Sequence, residues 1–138
     1  MKLTLDANAR LNLIRSYSND AVRVGDQVLR RSCIVTPDAV IADWRPATVD
    51  DLLESDLEPL LAVQPDVLLL GTGARQRFAP VTFRGALVKR HVALETMDLG
   101  AACRTFNILV QEERRVCAAL LFGPAVVTAS IVAVGKDS

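Results

Sequence analysis

"PDVLLLGTGARQRFAPVTFRGALVKRHVALETMDLGAACRTFNILVQEERRVCAALL", residues 65–121, decides the fold class because its hydrophobic period changes four times. DVLLLG, 66–71, is a continuous apolar run closed by glycine, the pattern of a strand buried on both faces. PVTFRGALVKR follows, with Pro80 as a first-turn residue and Phe83, Ala86 and Leu87 on one helical face. VALETM, 92–97, reads as the next strand, and Asp98 is placed to cap a helix running to about Glu112. RVCAALL, 115–121, closes the series as a third strand. Strand, helix, strand, helix, strand implies parallel pairing through right-handed crossovers.

Upstream of this stretch the segments are shorter. Asn12 to Tyr17, Ala21 to Val24, Gln27 to Arg30, Cys33 to Val35 and Val40 to Asp43 read as strands. Turn chemistry at Asn19-Asp20, Gly25-Asp26 and Pro37-Asp38 separates them, and antiparallel pairing is expected. Thr48-x-x-Asp51 and Ser55-x-x-Glu58 both look like helix caps. Leu57, Leu60 and Leu61 then predict a short amphipathic helix with Pro59 in its first turn. The expectation is an α/β fold: a single three-layer domain over 1–138 with a mixed central sheet, antiparallel strands in the N-terminal part and β-α-β-α-β in the C-terminal part.

Composition narrows the function classes. The 138 residues are 51% hydrophobic, enough for a real core, and the formal net charge of zero argues against a dedicated nucleic-acid binder. Cys33, Cys103 and Cys117 are odd in number with no CxxC, which predicts reduced thiols and a cytoplasmic setting. The opening MKLTLDANARLNLIRSY carries Asp6, Arg10 and Arg15 and does not read as a signal peptide. Val116 to Val134 is uncharged and long enough to span a bilayer, but Gly123-Pro124 interrupts it. Two strand-like pieces joined by a turn are expected there, and no membrane span. Charge is uneven: eight acids and one base between Asp38 and Asp66, then five bases and no acid between Gly71 and Leu94. Solvated faces of neighbouring elements account for this, as does a self-complementary pattern pairing across a homodimer.

Ligands of open parallel sheets sit beyond the carboxyl ends of strands. Gly71-Thr72-Gly73 and Met97-Asp98 occupy that position here, and the glycines allow close backbone approach. On the helix after Asp98, Arg104, Asn107 and Gln111 share one face, while Ala102, Phe106 and Leu109 fall on another that should pack inward. The candidate ligand-binding set is therefore Gly71, Thr72, Gly73, Arg75, Asp98, Arg104, Thr105 and Asn107, with an anion favoured by the helix start. Cys103 reads as core filler and the lone His91 stands at the wrong end of its strand to act on it. No catalytic residue, metal site or cofactor is expected.

Three words, PDVLLLGTGARQ, LETMDLGAACRTFNIL and ERRVCAALL, together with Trp44 after an acidic turn, resemble one family. It is a small family of single-domain proteins in bacteria, archaea and eukaryotes, and it includes a mitochondrial assembly factor for respiratory complex I. The resemblance runs from about Tyr17 to Leu121 and implies a compact three-layer α/β domain, without supplying catalytic residues. Its shared positions fall on Gly71, Thr72, Gly73, Met97, Asp98, Ala102, Arg104, Thr105 and Asn107. The chain departs from it at Leu99-Gly100, where the family usually carries a hydroxyl or polar residue, and in an apolar extension, Phe122 to Ser138.

Three functions follow as expectations. The first is a non-enzymatic binding or assembly module acting on a protein partner, with respiratory-complex assembly implied by the resemblance. The second is a small anionic-ligand protein or enzyme using the crevice between the GTG loop and the Met97-Asp98/Arg104 helix start. The third is purely structural, with Arg104 tying the two loops together through Asp98 or loop carbonyls.

Overall fold

The computed structural model describes residues 11–123. Within them the strands are β1 (Ile14–Tyr17), β2 (Val22–Val24), β3 (Gln27–Leu29), β4 (Cys33–Thr36), β5 (Ala39–Ile41), β6 (Val67–Gly71), β7 (Ala93–Met97) and β8 (Val116–Leu120). The helices are α1 (Glu58–Ala62), α2 (Val81–Lys89) and α3 (Leu99–Gln111), and 3-10 turns cover Val49–Asp51 and Glu54–Leu57. The mixed α/β fold expected from the sequence is the one observed. Of the expected apolar extension, only Phe122 and Gly123 fall among the described residues.

β6 pairs in parallel with both β7 and β8, while β4 is antiparallel to β8 and to β5, giving the order β5-β4-β8-β6-β7. β1, β2 and β3 make a separate antiparallel sheet. The expected antiparallel strands are thus divided between two sheets. The chain leaves β6 for β7 on one side, then returns through α3 to β8 on the other. Crossovers running in opposite directions place their helices on opposite faces, and strand order reverses beside β6.

Both faces of the inner strands β4, β6 and β8 are buried, as their unbroken apolar runs required, while the edge strands β5 and β7 are partly exposed. Val67, Leu69, Val116, Ala118, Leu120, Cys33 and Val35 face α3 and the small sheet, around the fully buried Phe106. Leu68, Leu70, Cys117, Ala119 and Ile34 face the opposite layer, around Phe83, Leu87, Leu57, Leu60 and Trp44. Each such large side chain contributes about 1.5–3 kcal/mol on burial.

The caps differ in detail. The Asp51 carboxylate accepts from the backbone N–H groups of Ala47 (3.1 Å) and Thr48 (3.2 Å), so half of the expected capping box forms on a 3-10 turn. Ser55-x-x-Glu58 does not cap a helix in the expected way. Asp56, held by Arg45, accepts the Leu53 N–H at 2.8 Å and nucleates a 3-10 turn ahead of α1.

Candidate functional site

Asp98 caps α3 as read from the sequence, its carboxylate accepting the Ala101 N–H at 2.8 Å. The departure at Leu99-Gly100 leaves that cap intact. The GTG loop lies alongside, and the two are joined through the backbone. The Thr72 N–H donates to the Met97 carbonyl at 2.9 Å and the Leu99 N–H to the Gly73 carbonyl at 2.8 Å. The Thr72 hydroxyl donates to the Arg75 carbonyl (2.6 Å) and accepts the Arg77 N–H (3.0 Å), folding residues 72–77 onto themselves.

The glycines have separate reasons. A Cβ at Gly71 would stand 3.1 Å from both Ala102 Cβ and Leu120 Cδ2, so the missing side chain lets the first turn of α3 lie against the end of β6. Gly73 has φ +96°, a conformation that favours glycine. The loop words therefore serve close helix-on-strand packing, with several of their amides already bonded within the protein.

Arg104 and Asn107 do share a face of α3, but that face meets β1 rather than the GTG loop. The Asn107 carboxamide donates to the Ile14 carbonyl (2.9 Å) and accepts the Ile14 N–H (2.8 Å). Arg104 donates through Nη1 to the Tyr17 hydroxyl, and its guanidinium carbon stands 5.9 Å from the Tyr17 ring centroid. The tie foreseen for Arg104 thus runs to Tyr17, neither to Asp98 nor to the loop carbonyls. Gly100 belongs to the same arrangement, since a Cβ there would meet Tyr17 Cε1 at 2.8 Å. Thr105 is half-buried on the same helix and the Arg75 side chain is exposed.

The structure therefore groups Gly71, Thr72, Gly73, the Arg75 carbonyl and Asp98 at one end of α3. It holds Arg104 and Asn107 on the neighbouring small sheet. Tyr17 and Ile14 carried no local signal, lying 87 and 93 residues away from their partners. Burial pushes the Cys33, Cys103 and Cys117 thiols up to about 12, so Cys103 on α3 stays protonated core filler. Among the described residues no group of His, Cys, Asp and Glu is disposed to hold a metal, and no helix is long and apolar enough to cross a membrane.

A second feature was visible in the sequence but not singled out. α2 packs Phe83 and Leu87 inward, yet Val81, Gly85 and Val88 line its outermost ridge. Val81 and Val88 are each 72% exposed, and Phe78, three residues before the helix, is 73% exposed. Arg84 and Lys89 flank this ridge on either side, and a Cβ at Gly85 would meet nothing within 4 Å.

Residues 14–121 match the sequence model of a family described as "Protein of unknown function (DUF498/DUF598)". NADH dehydrogenase (ubiquinone) 1 alpha subcomplex assembly factor 3 of Danio rerio is 34% identical over 115 residues, covering 82% of this chain and 66% of that protein. The chain thus spans just under two thirds of that relative, and the same 66% of its Xenopus tropicalis counterpart. An NMR structure of a Xanthomonas campestris protein superposes with TM-score 0.75 at 35% identity, covering 81% of this chain and 85% of that one. A Bordetella parapertussis crystal structure gives TM-score 0.75 at 34% identity, with coverage of 80% and 95%.

Proposed function

The chain belongs to the DUF498/DUF598 family, and from that premise we propose that it is a non-enzymatic binding module acting on a protein partner during complex assembly. The relatives' name points to subunits of a respiratory NADH dehydrogenase as the partner class. The observation that carries the reading is the outer ridge of α2. Phe78, Val81 and Val88 stand in water on an element whose inner face already supplies the core. Exposed apolar ridges rimmed by charge characterise protein interaction surfaces. A partner that covers this one presents apolar side chains centrally and carboxylates where Arg84 and Lys89 stand. Gly85 at the centre lets a partner backbone approach closely.

The test is site-specific photo-crosslinking in the native host from position 81 or 88, with exposed Val28 on β3 as the control position. The expected result is one discrete adduct with a respiratory NADH dehydrogenase subunit from the α2 positions and none from position 28. The double variant Val81→Asp/Val88→Asp should also lower the amount of assembled enzyme. Such exposed changes alter stability by only about 0.5 kcal/mol. Equal labelling from both faces, or undiminished assembly with the double variant, counts against the proposal.

A further inference from the structure

Strand order reverses beside β6, and crevices for small ligands in open parallel sheets lie outside the carboxyl ends of strands at such a reversal. A cavity of about 730 Å³ opens there, on the β8 side of β6 rather than between β6 and β7. Its walls come from the segment entering β4 (Arg30 and Ser32), from Trp44 and Pro46, from Ala74 after the GTG loop, and from Phe122 beyond β8. The size falls within the range of small-molecule sites.

The polar groups around it are unequally engaged. Arg31 pairs with Asp43 at 2.9 Å, Arg45 with Asp56 at 2.7 Å, and Asp20 accepts from the Ser18 hydroxyl at 2.8 Å. Arg30 has no acidic partner among the described residues. Ser32 is only 6% exposed, and its hydroxyl has no hydrogen-bond partner among the described residues. A buried hydroxyl left unpaired is costly, and a ligand oxygen would relieve it. The Trp44 indole N–H points away into the protein, donating to the Asp56 carbonyl at 3.1 Å, which leaves the rest of the ring as apolar wall.

We propose that this cavity binds a small carboxylate with an apolar body. The carboxylate pairs with Arg30 and accepts the Ser32 hydroxyl proton as a hydrogen bond, while the body lies against Trp44, Pro46 and Phe122. The site shares no residue with the outer ridge of α2, so it stands or falls independently of the partner proposal.

Trp44 is the chain's only tryptophan, so its fluorescence reports on the cavity without labelling. The full chain is titrated with octanoate and, separately, with octanol, which matches the chain length but has no charge. Octanoate should produce a saturable change, and Arg30→Gln should weaken it by about tenfold, the loss of one charge-assisted bond. The weaker octanol response should be indifferent to that variant. Arg30 is exposed, so the variant folds as the parent does, which thermal unfolding checks. Absence of a saturable change up to millimolar octanoate overturns the proposal. So does a response that is equal for octanol and unaltered by Arg30→Gln, because the cavity would then be apolar space without an anion site.

Discussion

Asn107 uses both ends of its carboxamide on one backbone residue, as a neighbouring strand would. Replacing it by alanine leaves the Ile14 N–H and C=O unpaired at a half-buried position. The expected cost is about 1–3 kcal/mol, seen as a lower denaturation midpoint together with faster hydrogen exchange at the Ile14 amide. Gly100→Ala tests the neighbouring contact differently. Its new Cβ, 2.8 Å from Tyr17 Cε1, must displace the ring and with it the Arg104 stack. The Tyr17 ring is 41% exposed and can swing outward, and alanine is favoured over glycine in a helix by about 1 kcal/mol, so stability should change by no more than that, while the sole tyrosine gives a clean NMR signal for the ring's movement. An unmoved ring would mean that Tyr17 does not stand over Gly100 and that Asn107, without the Arg104 stack, ties β1 to α3. Arg104 and Asn107 could be placed on one face from helical spacing, because that spacing is local. Which surface they meet could not, because β1 arrives from the other end of the chain.

At the scale of elements, what could be read depended on how completely an element is buried. β6 and β8 sit at the middle of the sheet with both faces covered, so their uninterrupted apolar runs announced them. α3 announced itself through a cap, and Asp98→Ala should remove about 1 kcal/mol, read by urea denaturation. The three-residue strands β2 and β3 were also recognisable, but nothing in so short a pattern states which sheet they join. Strand order was equally hidden: β8 could have followed β7 outward, and the β-α-β-α-β pattern is the same either way. That choice matters for the candidate sites. It places α3 on the face opposite α2, brings Ala102 onto Gly71, and opens the cavity on the β8 side of β6. The second apolar stripe of α2 was legible as Val81, Gly85 and Val88, but a helix that is apolar on two sides hides its stripe from any search for a single face.

Across the whole molecule, the acid-rich segment 38–66 and the base-rich segment 71–94 are brought together within one chain. Arg77 meets Asp50 at 2.8 Å, and Arg90 lines the same surface groove as Glu54 and Glu58. Neighbouring faces of one molecule thus account for part of the charge asymmetry. The ion pair with most structural consequence is Arg45–Asp56, because Asp56 also receives the Leu53 N–H and its carbonyl holds Trp44. The hydrogen bond from Arg45 is the chief cause holding the Asp56 carboxyl below its ordinary value of 3.8, with the Leu53 N–H adding to it. A group whose pKa is lower folded than unfolded contributes stability above the unfolded value and loses it as pH falls through the folded one. Wild-type stability should therefore decline as pH drops from about 5 to 3, near the unfolded carboxylate range. Asp56→Asn should be less stable at pH 7 and decline less steeply over the same interval. Asp66, also lowered by Arg115 but exposed with it, should leave the profile nearly unchanged when replaced by asparagine. Urea midpoints measured across that range for the three proteins decide the matter: parallel curves for wild type and Asp56→Asn would move the acid sensitivity to other carboxylates.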